Sequence, residues 1–288
     1  MRDPSIHVTG TRIASRKCTP TFRKPCRSEI GLVLFEVHMP YGFYISAEGA
    51  NAQSYRLDVI ANNLANIDTV GFKRDLATFQ ARYAQAIDKG LVIPGSGDLD
   101  DVGGGTLVRQ TKTDFSPGQV KRTQNPSNLA ILGDGFFVVK KGDETLLTRA
   151  GNFEINSRGE LVTPQGHAVL DDSGTPIVLN LDIKDWQISD TGALIQGDSS
   201  RNLAIVKPAS NADLVKHGEN LFRSSTQPQA LAPAERRVAS GYLEMSDVQP
   251  ALEMTALIEA SRLLELNINM MRTQDQTLGA LVNRVLKV

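Results

Sequence analysis

The sequence predicts a mixed α and β protein in which long N- and C-terminal helices form a coiled-coil-like pair around an inserted irregular all-β domain. Three observations predict it. A heptad-spaced apolar stripe lies near the start, a stronger one runs to the end of the chain, and between them the helical period gives way to short runs separated by glycine turns.

Residues 1–38 read differently from the rest. Arg2, Arg12, Arg16, Lys17, Arg23, Lys24 and Arg27 stand there against Asp3, Glu29 and Glu36, which leaves the remainder of the chain acidic by count. Pro4, Pro20 and Pro25 and the lack of any period predict disorder, so the segment is either a disordered extension or a mispredicted start preceding Met39. The apolar run Gly31–Phe35 is shorter than a secretory signal core, and Glu36 ends it without a small-residue cleavage site. Both cysteines, Cys18 and Cys26, fall in this segment, at a spacing that suits neither a zinc knuckle nor a redox pair.

Residues 39–82 read as an N-terminal helical segment. Phe43, Ala50, Leu57 and Leu64 recur every seven residues, and Ile60 and Ile67 follow the last two by three. Gln53, Arg56, Asn62 and Asn63 form the polar side, and Thr69-Val70-Gly71 ends the helix, Gly71 being free to take positive φ. Residues 83–105, with Pro94, Gly95, Gly97 and Gly103 to Gly105, read as a linker or long loop.

Residues 106–245 read as the β-rich domain. Leu129–Leu132 precedes Gly133-Asp134-Gly135, Phe136–Val139 precedes Lys141-Gly142-Asp143, and Leu146–Thr148 precedes Gly151-Asn152. Leu161–Thr163, Val169-Leu170, Ile177–Leu181, Trp186–Ile188, Ala193–Ile195 and Leu203–Val206 continue the series, and Gln227–Pro233 reads as a second link. From 246 to 288 the helical period returns. Ser246 or Asp247 is placed to cap a helix with Pro250 in its first turn. Leu257, Leu264, Met271, Leu278 and Val285 then recur every seven residues, beside a companion seam of Met254, Ser261, Ile268, Asp275 and Val282. A helix over about 249–286 would be about 55 Å long. It either packs on its own domain or pairs with the N-terminal helix. Asp275 and Ser261 would weaken an isolated pair, and suit a seam that meets neighbouring subunits.

Bulk composition excludes several functions. A net charge of −1 and pI near 6.4 argue against a nucleic-acid binder, and no apolar window is long enough for a transmembrane segment. His7, His38, His167 and His217 are scattered without metal-ligand spacing. Gly103-Gly104-Gly105 lacks the Lys-Ser/Thr of a phosphate loop, no Gly-x-Ser-x-Gly elbow exists, and Asp100-Asp101 and Asp171-Asp172 sit in turn-rich stretches. The sequence therefore predicts no catalytic residue, no cofactor and no metal. A β-rich cell-wall or carbohydrate-binding module with helical oligomerisation ends is the alternative, but one Trp and five Tyr offer little aromatic platform. No paired-acid or histidine site supports a wall-degrading enzyme.

Four blocks resemble the flagellar rod and hook family of bacteria. They are Ala61-Asn62-Asn63-Leu64-Ala65-Asn66 with Thr69-Val70-Gly71-Phe72-Lys73-Arg74; Asn125 to Ile131 with Gly133 to Val139; Thr148 to Phe153 with Gly159 to Thr163; and Gly241-Tyr242-Leu243-Glu244, Ser246-Asp247-Val248, Met254, Ile258, Glu259-Ala260 and Arg262. Asn128 and Asp247 depart from the usual Asp and Asn. The short 88–105 link, and Pro250 and Met254, look more like the proximal rod protein than the distal one. The resemblance implies a structural subunit of the basal-body rod, exported through the flagellar type III apparatus without a cleaved signal. It would polymerise in the periplasm through its terminal helices, with itself and other rod and hook subunits as partners. Leu57, Ile60, Asn62, Asn63, Leu64, Asn66, Gly71 and Phe72, with Leu257, Leu264, Ile268, Met271, Asp275, Leu278 and Val285, would form the assembly interface. Lys73 and Arg74 would meet an acidic neighbour or solvent.

Overall fold

A computed structural model describes residues 41–81, 103–183 and 185–285. The extension expected over 1–38, most of the 83–105 linker and the last three residues lie outside them. Two long helices, α1 (Tyr41–Ala65) and α2 (Pro250–Val285), enclose an inserted β-rich region in chain order. α2 begins within a residue of its expected start, whereas α1 stops at Ala65, well short of the end of the 39–82 segment read as helical. At its end α1 unwinds through Asn66, whose side-chain amide donates to the Asn62 carbonyl (2.9 Å) and whose Oδ1 accepts from Thr69 Oγ1 (3.2 Å). Gly71 takes φ 67°. An added Cβ there would lie 2.5 Å from Ala150 N, so the turn needs glycine for both conformation and space.

The cap of α2 differs from expectation. The Gln249 carbonyl accepts from Glu253 N (3.0 Å), while Ser246 Oγ accepts from Val248 N (3.3 Å) in the turn before the helix. Asp75–Ala81, inside the segment read as helical, is a strand paired antiparallel with Thr106–Thr113 and packed beside α1.

α1 and α2 lie against one another and run antiparallel. Gly42 faces Gln274, Gly49 faces Asn267, and Arg56 meets Glu259 at 3.7 Å, so each step of seven along one helix is matched by about seven back along the other. Glycine stands opposite long amides here: a Cβ on Gly42 would sit 2.8 Å from Gln274 Nε2, and one on Gly49 3.0 Å from Asn267 Oδ1. The inner face of α2 accordingly runs through Glu253, Leu257, Ala260, Leu264, Asn267, Met271 and Gln274. Of the predicted seam, Leu257, Leu264 and Met271 are half-buried, whereas Leu278 and Val285 are exposed. Its expected companions are shifted by one residue: Met254, Ser261, Asp275 and Val282 are exposed, and Ile268 is half-buried. A one-residue shift turns a helical position by about 100°. The apolar companions looked better in sequence, but small Ala260 and the amides are what fit against glycine.

The β region is built on a nine-stranded antiparallel sheet whose central strand, Phe136–Lys141, pairs with Glu144–Thr148, Ala168–Val169 and Ile205–Lys207. Alternate side chains of that strand point to opposite faces. Phe137 and Val139 join a core with Leu129, Leu146, Phe153, Leu161, Val169, Ile177, Leu203 and Leu221. Phe136 and Val138 join a second cluster with Leu147, Leu170, Leu214 and Phe222. Both faces are covered, which is why the strand reads as a continuous apolar run. Where the chain enters and leaves this region the two paths are stitched together. Val120–Arg122 pairs with Tyr242–Glu244, and Leu129–Ile131 pairs with Val238–Ser240.

Candidate functional site at the helix–sheet junction

The stitched entry and exit bring three segments to one buried point. Lys73, eight residues past the end of α1, is 1% exposed, and Glu244, six residues before α2, is 2% exposed. Their side chains meet at 2.6 Å across 171 residues of sequence. Lys73 Nζ also donates to the Ser116 carbonyl (2.6 Å), and Glu244 Oε1 accepts from Gly118 N (3.0 Å). The other carboxylate oxygen, Oε2, takes Arg149 Nη1 at 3.3 Å. Arg149 itself donates to the Gly133 carbonyl (2.7 Å) and lies over the Phe136 ring at 5.0 Å. Burial pushes the Arg149 guanidinium below its usual range, and the charge of Glu244 opposes that push. Backbone bonds close the joint: Gly71 N donates to the Glu244 carbonyl (2.8 Å) and Met245 N to that of Gln119 (2.8 Å).

A second layer surrounds this centre. Asn63, 1% exposed, donates from its amide to the Asp75 carbonyl and accepts from Asp75 N, both at 2.9 Å, pairing with the backbone as another strand would. Lys216 reaches from the Leu214–Gly218 strand to the Lys73 carbonyl (2.6 Å) and to Asp75 Oδ2 (2.8 Å), over the Phe72 ring at 4.4 Å. Asn220 Nδ2 donates to the Val70 carbonyl (2.9 Å) from a hairpin tip in which Glu219 and Asn220 both have positive φ. Arg74 spans Asp114 (3.4 Å) and Glu253 (3.6 Å), tying the joint to the first turn of α2. Asp247 is held above the ordinary carboxylate range by burial and by the nearby Asp114 charge.

The expected interface residues divide between this joint and the helix pair. Asn63, Gly71 and Phe72 belong to the joint. Asn66 finishes α1, and Asn62 is exposed beside it. Ile60 is buried, and Leu57, Leu64, Leu257, Leu264, Ile268 and Met271 are half-buried along the helices. Asp275, Leu278 and Val285 are exposed on the part of α2 that continues past the Gly42–Gln274 level. Lys73 is buried from solvent. Its acidic partner is Glu244 of the same chain, and sequence reasoning missed it. Lys73, Arg149 and Glu244 each lie inside a block quoted above, but no local spacing signals a pairing over that separation.

This arrangement has the chemistry of a structural joint: Lys73, Glu244 and Arg149 pair with one another and with backbone groups. Of the nitrogen and oxygen atoms of those three side chains, Arg149 Nε alone is buried without a hydrogen-bond partner among the described residues. Among the described residues, no helix is long and apolar enough to cross a membrane. The sequence comparisons agree in kind. The family model for "Flagella basal body rod protein" matches residues 43–73, that for "Flagellar hook protein FlgE/F/G D1 domain" matches 130–196, and that for "Flagellar basal body rod FlgEFG protein C-terminal" matches 239–284. The helices, the β region and the joint between them are thus those of a flagellar rod or hook protein.

Full-length relatives narrow the class. The chain is 33% identical over 256 residues to the flagellar basal-body rod protein FlgG of Bacillus subtilis, covering 83% of this chain and 97% of that protein. It is 34% identical over 261 residues to FlgG of Borreliella burgdorferi (84% and 97%). To the basal-body rod protein FlgF of Caulobacter vibrioides it is 31% identical over 254 residues (87% and 100%). The chain belongs to the flagellar basal-body rod protein family, as a structural rod subunit. FlgG and FlgF relatives match at nearly equal identity, so similarity alone does not separate the two.

Proposed function

We propose that the chain polymerises in the periplasm through its terminal helices, which form a coiled-coil-like pair, as a non-enzymatic part of the drive shaft. The observation that carries this is the apolar surface left on α2. Met254, Ile258, Leu266 and Met270 are more than half exposed on the paired part, and Leu281, Val282 and Val285 (73%) follow beyond it. An exposed apolar row of this kind is a docking surface in need of a partner. A head-to-tail contact between unlike surfaces that does not close generates an open helical assembly. Its partners would be further copies of itself and other rod and hook subunits, after delivery by the type III export apparatus without a cleaved signal. The short 88–105 link, with Pro250 and Met254, favours a proximal place in the rod. Trp186 packs against the β core, which argues against its serving as the platform of a carbohydrate-binding module.

Deleting the chain from Leu278 onward tests the reading. The truncated protein should keep the far-ultraviolet and tryptophan signals of the β region, yet be absent from purified basal bodies and leave cells non-motile. Normal motility with the truncation as the sole copy would sink the helical assembly role.

A further inference from the structure

The family assignment does not account for one feature: two cations, Lys73 and Arg149, converge on a single buried carboxylate. Each comes from a different part of the molecule. Lys73 is on the exit from α1, Arg149 follows the Glu144–Thr148 strand of the β region, and Glu244 is on the approach to α2. Removing the carboxylate would leave both cations inside with carbonyl oxygens as their remaining partners. Simple packing of the two layers would not need this. Apolar side chains of similar volume would fill the space without desolvating three charges. A charged contact is sensitive to geometry in a way that apolar contact is not: its attraction and its hydrogen bonds are lost when the parts slide.

We propose that Glu244 acts as a clasp that locks the exit of α1, the entry to α2 and the β region into one rigid body, so that rotation imposed on the helices turns the β region without lag. The mechanical role rests on the reading of the chain as a rod subunit; the rigidity itself does not. Neighbouring bonds lie in the same path. Gly118 donates to the clasp carboxylate, and a Cβ on Gly118 would collide with the Met245 carbonyl, so the loop before the Val120–Arg122 strand fits tightly over it. Asn63 and Lys216 brace the same segment from α1 and from the β region. Glu244 is therefore a positioning residue whose effect is read in geometry rather than in chemistry.

The experiment uses the full chain with Cys18 and Cys26 replaced by serine and spin labels at Asp143 and Thr273, which are exposed on the β region and on α2. The unmodified joint should give a narrow distribution of label distances. Glu244→Gln and Lys73→Met should each at least double its width, and amide exchange at Gly71 and Gly118 should accelerate 100-fold or more while Val139 and Leu147 stay protected. Glu144→Gln, which breaks an exposed pair with Arg223, should leave the width unchanged. Wild-type widths and exchange in both joint variants would overturn the proposal, as would equal broadening by Glu144→Gln. If Glu244→Gln loses sheet protection as well, Lys73→Met decides, because it keeps Glu244 paired with Arg149: broadening supports the clasp and a narrow distribution overturns it. Complementation of a strain lacking its own copy separates the two readings. A wild-type chain that fails to restore motility would overturn the rod role, while the label distances would still decide the clasp.

Discussion

The β region and the helix pair bury their residues in opposite ways. In the β region Leu129, Phe137, Val139, Leu161, Val169, Ile177 and Leu203 are all 0% exposed, and Phe137 meets Phe153 edge-on at 5.1 Å. Along the helices glycine faces amide, and the heptad leucines Leu57, Leu64, Leu257 and Leu264 stay half-buried. Gln53 Oε1 and Gln274 Oε1 are buried there without a hydrogen-bond partner among the described residues. A region of the first kind is complete as a single molecule. One of the second kind leaves much of its apolar surface exposed, Met254, Leu266 and Met270 included. The joint at Glu244 lies where the two meet.

Substitutions can sharpen or break this contrast. Phe137→Ala should have the largest effect, about 3–5 kcal/mol, because it opens a cavity in a closed core. Urea unfolding followed by circular dichroism measures it, and a loss under about 1 kcal/mol would mean the sheet is not the self-sufficient part. Gly71→Ala comes next at about 2 kcal/mol or more, from the positive φ and the approach to Ala150. Asn63→Ala should cost about 1–3 kcal/mol, since it leaves both backbone groups of Asp75 without their partner. Leu264→Ala, on the half-buried seam, should cost the monomer about 1 kcal/mol or less and yet remove most incorporation into rods. If the monomer loses as much as Phe137→Ala does, the helix pair is a closed core after all.

The smallest expected effect is electrostatic. Hydrogen bonds from Lys141 and then His167 lower the Glu219 carboxyl from 4.5 to about 2. A depressed folded-state value contributes stability that is present above pH 4.5 and lost as pH falls toward 2. The gap in urea midpoint between wild type and Glu219→Gln should therefore be small at pH 5 and shrink by pH 2. A gap that widens on acidification would contradict the pairing.

The sequence conveyed different parts of this with different success. The long helices were legible because a period of seven repeats over many turns, and α2 begins within a residue of its expected start. The strands with apolar runs, such as Phe136–Lys141, were legible for the same kind of reason. Ser199–Asn202 was not, since all four of its residues are exposed and polar and its place is fixed only by pairing with Ala193–Gln196. Leu214–Gly218 and Leu221–Ser224 were missed because their turn is made by Glu219 and Asn220 at positive φ instead of by a glycine pair. Of the site, Gly71 and Phe72 could be read from local turn chemistry. The Lys73–Glu244–Arg149 cluster could not, because long-range ion pairs leave no mark on neighbouring positions.

The antiparallel register between the helices also bears on the order in which the molecule can form. Gly42 and Gln274 become neighbours across about 230 residues of chain, a closure that is slow when only the final contacts reward it. In a chain synthesised N-terminus first, α1 lacks α2 as a partner until the last segment is made. The β region lies between and can complete its own ladders beforehand, and its Val120–Arg122 and Tyr242–Glu244 strands then hold the two helix roots side by side. What remains is a short search by two tethered helices, so the sheet serves as a template that turns a distant encounter into a local one.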